Sequence, residues 1–307
     1  MTALATAVVF AYHDVGVHCL KVLLARGVHV ALVVTHEDNP SENIFFGSVA
    51  DLCSEHGIPS ITPELADTPE LLAQIAAIAP DFIFSFYYRN MLPAALLSLA
   101  ARGAYNMHGS LLPKYRGRVP INWAVLHGES ETGATLHAMT VKPDAGAIVG
   151  QTAVPILPDD TAYDVFRKVT VAAEQTLWNA LPAMLDGSAV MLTNDLSKGS
   201  YFGRRVAADG MIDWHKSAWD VHNLVRAVAP PYPGAFERFG DDKIIVLKTR
   251  IPAGALDATL QRNGKDRIFD DGKLYLRCGD GRYLQILGIR INDQDASLQQ
   301  YLNYKAA

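Results

Sequence analysis

A short continuous apolar run, ATAVVFA at 5–11, is followed at 15–26 (VGVHCLKVLLAR) by apolar residues at helical spacing, with Gly27 where a helix C-cap falls. The pattern predicts a strand and then a helix. VHVALVV at 28–34 and DFIFSFY at 81–87 read as further buried strands, and 46–56 and 69–79 read as helices, each preceding another strand-like segment. Such alternation predicts a Rossmann-like α/β fold, a mostly parallel sheet with helices on both faces. Two more strand-like segments, ATLHAMT at 134–140 and IVGQTAVPI at 148–156, lead into an amphipathic helix over 161–186 that Asp186 and Gly187 close.

Beyond about residue 200 the texture changes. A helix is predicted over 216–228, the breaker PPYPG stands at 230–234, and short alternating segments such as KIIVLKT and KLYLRCGDGRYLQILGIRI follow. The reading is a catalytic domain over 1–200 and a smaller, β-rich, OB-like C-terminal domain over 206–307.

A chain of 307 residues, half of them apolar, can bury a core in each domain. Its net charge of -5 argues against a protein that grips nucleic acid through overall charge. The three cysteines, Cys19, Cys53 and Cys278, are far apart and lack zinc-ligand spacing. They read as reduced thiols of a cytoplasmic protein, and no metal is expected. The N-terminus meets His13 and Asp14 too soon to be a signal peptide or membrane anchor. The first strand is followed by AYHDVG where a dinucleotide fold shows GxGxxG, which speaks against NAD.

The densest polar cluster is YNMHGSLLPKYRGR at 105–118. Asn106 and His108, two apart at a strand end, share one face, so an amide and a titratable imidazole point into one site. Gly109, Pro113 and Gly117 give the irregular backbone on which ligand loops of open α/β sheets are built. Asp144 supplies an acid in the turn-like KPDAG. His137, alternating within ATLHAMT, reads as a structural histidine, and the Lys114, Arg116, Arg118 run as a largely solvated basic face with Arg118 the best ligand candidate.

The ordered set Asn-x-His-x-Ser-Leu-Leu-Pro-x-Tyr-Arg-Gly, then Pro120, Trp123, Gly128, Thr132-Gly133, His137, Asp144, Gly146, Ile148 and Gln151, resembles the 10-formyltetrahydrofolate-dependent formyltransferase family. The resemblance implies that Asn106, His108 and Asp144 meet in one cleft. There Asn106 would steady the developing oxyanion, His108 would shuttle a proton, and Asp144 would orient His108 and favour its charged form. By the same resemblance the folate co-substrate would contact Asn90, Met91, Leu92, Arg118, and the loop of Thr140, Val141, Lys142, Pro143 and Asp144.

The family acts on several amines. Residues 27–88 carry no Lys or Arg and nine acids, a poor surface for tRNA. EDNPSENIFFGSVADLC, FSFYYRNM and YFGRRVAADGMIDWHK resemble the formyltransferase part of bifunctional enzymes that formylate UDP-4-amino-4-deoxy-L-arabinose in the lipid A modification linked to polymyxin resistance. The resemblance implies a sugar-nucleotide acceptor, and Arg204 and Arg205 of the FGRR segment joining the two domains are the expected partners of its diphosphate, because guanidinium pairs well with phosphate oxygens. It leaves a homo-oligomer open, and the chain ends at Ala307 without room for the bifunctional enzymes' dehydrogenase/decarboxylase domain, as a stand-alone enzyme or an excised domain would. Methionyl-tRNA formyltransferase and a 10-formyltetrahydrofolate hydrolase are the alternatives.

Overall fold

The computed structural model describes residues 4–305, which form two compact units. The first opens with β1 (Thr6–Ala11), α1 (His13–Ala25), β2 (His29–Val34), α2 (Val49–His56), β3 (Ser60–Ile61), α3 (Pro69–Ile78), β4 (Phe82–Phe86), α4 (Ala94–Leu97), β5 (Ala104–His108) and β6 (Arg116–Gly117). After α5 (Pro120–Leu126), which from Ile121 belongs to the second unit, come β7 (Glu131–Ala138), β8 (Ile148–Pro155), the long α6 (Ala162–Asp186), which belongs to the first unit from Arg167, and β9 (Tyr201–Phe202). Seven strands form one sheet in the order β3-β2-β1-β4-β5-β7-β8.

The pairs from β3 through β5 are parallel, as the alternation of strands and helices predicts, whereas β5 pairs antiparallel with β7. β5 is therefore the strand at which the sheet changes sense. Val8, Phe10, Leu32, Val34 and Ile83 join Leu71 and Ile75 of α3 and Leu96 of α4 in one hydrophobic cluster. Alternate residues Val9, Val33 and Phe84 are equally buried. They face the other way, and α1, which packs on β1, β2 and β4, covers that side. Ser48 and Thr68 cap the N-termini of α2 and α3 through their hydroxyls.

The second unit holds α7 (Ala218–Val228), β10 (Ala235–Phe239), β11 (Asp242–Arg250), α8 (Gly254–Asn263), β12 (Arg267–Asp270), β13 (Lys273–Arg277), β14 (Tyr283–Ile291), β15 (Gln294–Ala296) and α9 (Leu298–Lys305). Its sheet runs β10-β11-β14-β13-β12, with β15 on β14, and all its pairs are antiparallel. The alternating texture of this region announces the strands but neither α8 nor α9.

The units interleave along the chain. Besides everything from Arg204, the second takes Ile121–Glu131 and Pro155–Phe166, segments that the change in texture assigns to 1–200. Buried polar groups of α7 tie them in. His222 reaches the Pro158 carbonyl, and Arg226 donates to the Asp160 carbonyl, while the Asn122 amide donates to the Ala227 carbonyl. Helical periodicity in α7 marks a buried face but not that polar residues of that face bind distant loops. Among the described residues no helix is long and apolar enough to cross a membrane.

Candidate active site

β5 ends on two polar side chains pointing one way. Asn106 stands directly opposite His137 of β7, and His108 opposite Thr135. Asn106 Nδ2 lies 3.2 Å from His137 Nε2. The other ring nitrogen of His137, Nδ1, lies 2.9 Å from the Ala138 carbonyl, an acceptor, so Nδ1 carries the proton and Nε2 accepts from Asn106. One N–H of the Asn106 amide is thereby fixed on His137, and the second is left for a ligand. His137 is 2 % exposed, and the sequence reading of it as a structural histidine misses that its ring touches both Asn106 and the acid of the site.

The loop after β5 is held by buried hydrogen bonds. Thr135 Oγ1 donates to the Ser110 carbonyl at 2.6 Å and accepts from the Leu112 amide at 3.1 Å and from Gln151 Nε2 at 2.9 Å. The loop thus turns back, and the Tyr115 carbonyl accepts from His108 Nε2 at 2.8 Å. That bond leaves His108 Nδ1 facing Asp144 Oδ1 at 3.5 Å. β6 pairs with β9 so closely that a Cβ on Gly117, at φ 96°, would lie 2.2 Å from the Phe202 carbonyl oxygen. Glycine alone fits there, and its N–H donates to Asp144 Oδ2 at 2.8 Å. Asp144 Oδ1 is also 3.6 Å from His137 Nε2. Amide, two imidazoles and carboxylate form one contiguous centre inside the first unit.

Electrostatics refine the sequence expectation. The Asp144 carboxylate favours protonated His108. Burial of the ring instead outweighs the carboxylate and the Tyr115 carbonyl and carries the His108 pKa below the ordinary imidazole value. Burial pushes the Asp144 carboxyl the other way, but the charge of His108, the adjacent His137 ring and the Gly117 N–H overcome it and bring its pKa to about 2. In neutral solution the pair is a carboxylate beside a neutral imidazole.

The remaining expected site residues are placed as follows. Leu92 is buried in the hydrophobic cluster of the first unit, against which Met139, the residue before Thr140, also packs. Asn90 is half-buried and donates to the Glu64 carbonyl, while Met91 and Val141 are exposed apolar side chains. Thr140 Oγ1 donates to the Lys142 carbonyl across its turn; Arg118 and Lys142 are exposed, and Pro143 is half-buried. Arg204 and Arg205 belong to the second unit. Arg204 is exposed; Arg205 is half-buried, lies 4.8 Å above the Trp123 ring and donates to the Asp209 carbonyl at 3.0 Å. Among the described residues no group of three or more His, Cys, Asp or Glu is arranged to hold a metal ion.

Fold and centre together define an α/β enzyme with a hydrogen-bond donor and a proton acceptor side by side. The model of the formyl transferase family matches residues 13–181 and that of the formyl transferase C-terminal domain matches residues 206–305, so the chain belongs to the formyl transferase family. Its fold is similar to that of an N-formyltransferase from Helicobacter canadensis, solved with folinic acid and dTDP-3-aminofucose, at a TM-score of 0.70 and 17% identity over 96% of this chain and 100% of that one. It is also similar to WlaRD, a sugar 3N-formyltransferase solved with dTDP and 5-N-formyl-THF (TM-score 0.72, 17% identity, 95% and 99% covered). A sugar N-formyltransferase from Shewanella matches with a TM-score of 0.64 at 20% identity, over 79% of this chain and 96% of that one.

Proposed function

We propose that this protein transfers the formyl group of 10-formyltetrahydrofolate to the amine of a nucleotide-linked amino sugar, UDP-4-amino-4-deoxy-L-arabinose, in the cytoplasm and in the service of lipid A modification. The observation that carries the reading is the join of Asn106, His108 and Asp144 through His137 and Gly117 in a member of the formyl transferase family. The sugar-nucleotide ligands of the structural neighbours support this class of acceptor. The acid-rich, base-free 27–88 surface speaks against tRNA.

In this reading the neutral amine of the acceptor attacks the formyl carbon. The new N–C bond forms as the bond from that carbon to the folate N10 breaks, and one proton passes from amine to N10. The free Asn106 N–H meets the oxygen on which charge develops. His108, neutral because it is buried, can take a proton and return it, and Asp144 compensates the imidazolium while it exists. Asn90, Met91, Leu92, Arg118 and the loop Thr140 to Asp144 would receive the folate, and the domain over 206–307 would complete the enzyme.

The test is an acceptor panel with 10-formyltetrahydrofolate: UDP-4-amino-4-deoxy-L-arabinose, dTDP-linked amino sugars, methionyl-tRNA and no acceptor, followed by donor loss and acceptor mass. Formylation of the UDP sugar is the expected result. Formylation of methionyl-tRNA alone would overturn the acceptor class, and donor loss without any acceptor would identify a hydrolase. Arg204→Ala is expected to raise the KM of the sugar nucleotide by about tenfold, the loss of one charge-assisted phosphate contact. A dependence of KM on Arg205 alone would move that contact to its neighbour, and unchanged KM in both variants would remove the diphosphate role.

A further inference from the structure

A single buried amide fastens the turn that carries Asp144. Ile148 and Leu192 exchange both backbone hydrogen bonds, each 2.8 Å, as an antiparallel bridge. Continuing that register by two residues brings Asn194 opposite Gly146. Its Nδ2 donates to the Gly146 carbonyl at 3.1 Å and to the Asp144 carbonyl at 3.0 Å. Turning the amide over would set Oδ1 against two acceptors, so the orientation is determined. Asn194 is 8% exposed, and its Oδ1 is enclosed with no hydrogen-bond partner among the described residues.

An enclosed, unpaired amide oxygen is unfavourable, a cost that an apolar side chain at this position would avoid. What the amide does in return is local. Asp144 sits at φ 51°, a left-handed conformation unfavourable for a residue with a Cβ. Strained backbone of this kind persists where its surroundings over-determine it. On the far side the turn is closed by backbone: Ala138 N–H donates to the Ala147 carbonyl at 2.8 Å, and a Cβ on Gly146 would lie 1.8 Å from the Ala138 carbonyl oxygen. On the near side Asn194 holds the carbonyls of residues 144 and 146 together.

We propose that Asn194 is a positioning residue for the reaction: by clamping the Asp144 turn it keeps the carboxylate between His108 of β5, His137 of β7 and the Gly117 amide. The inference rests on the role given to Asp144 under the proposed function. Asn194 itself is buried and acts only through that turn.

The experiment compares wild type, Asn194→Leu, Asp144→Asn and the double variant in formyl transfer from 10-formyltetrahydrofolate to UDP-4-amino-4-deoxy-L-arabinose. It also follows the Asp144 carboxyl titration by NMR in the ligand-free protein. Asn194→Leu is expected to lower kcat by about tenfold to a hundredfold, the effect of a misplaced reactive group, while the KM of the sugar nucleotide holds. The double variant should be no slower than Asp144→Asn, within about twofold, because both changes act through one group. The Asp144 carboxyl should titrate above its wild-type position. An Asn194→Leu kcat within about twofold of wild type, or losses that multiply in the double variant, would overturn the proposal. Should the leucine variant not fold, Asn194→Ser is judged by the same criteria. Undiminished turnover in Asp144→Asn would instead remove the reading of the site on which the inference rests.

Discussion

His108→Ala is expected to lower kcat by about a hundredfold to ten-thousandfold, the range that general acid–base groups contribute. Three features converge on this residue. The Tyr115 carbonyl fixes the proton on Nε2, leaving the Nδ1 lone pair beside Asp144. Burial keeps the ring neutral at neutral pH, in the form that can accept a proton. Asn106, two residues earlier on the same face, presents its free N–H nearby. The direction of the shift also sets a pH signature. Because the folded pKa lies below the ordinary value of about 6.5, kcat should hold as the pH falls through 6.5 and decline only below it. In His108→Ala that decline should vanish from the residual rate. Turnover within about tenfold of wild type, with a fold intact by circular dichroism, would exclude His108 as the proton carrier.

Much of this was legible in the chain, and what was not shares one cause. β1, β2 and β4 are buried on both faces and therefore read as unbroken apolar runs, while α1 and α6 carry helical periodicity. The shared face of Asn106 and His108 follows from strand geometry within three residues. The partnership of Asn106 with His137 does not, because it depends on an antiparallel register between strands some thirty residues apart, and a shift of one residue would turn His137 away. The same holds for Asn194, fifty residues beyond the turn it clamps and delivered there by the Ile148–Leu192 bridge. Burial of His108 is likewise a product of the loop folding back on Thr135 and Gln151. Hence the carboxylate effect could be foreseen from the residue types, but not the larger effect of burial. In the second unit α8 has only Leu260 buried, too little apolar pattern to stand out among strands.

The site is accordingly organised around groups that do not titrate in its working range. The Gly117 N–H, the Tyr115 carbonyl and the Ala138 carbonyl each assign one ionisable side chain its proton or its charge. Backbone groups cannot change protonation state, so the tautomer each of them sets holds for as long as the ring is neutral. Burial and charge oppose each other on one pair of this centre, His108 and Asp144.

Asp144→Asn tests that pair. The substitution keeps the shape of the side chain and removes its charge, so kcat should fall by about a hundredfold if the carboxylate compensates an imidazolium during proton transfer. The sign of the accompanying pH change is determined by the geometry. The carboxylate, 3.5 Å from Nδ1, raises the His108 pKa against burial. Removing it leaves only the Tyr115 carbonyl to oppose burial, and the acid decline of the residual rate should move to lower pH. Stability should respond in the complementary sense. A folded imidazole that binds its proton less readily than the unfolded chain makes the unfolded state the better proton acceptor, so stability falls as the pH drops below about 6.5. Without Asp144 that loss should extend to lower pH, read as a wider gap between the urea midpoints of variant and wild type below the wild-type acid decline than near pH 8. A decline that keeps its wild-type position, with the gap in midpoints constant across pH, would mean that Asp144 orients His108 through shape alone and exerts no charge effect on it.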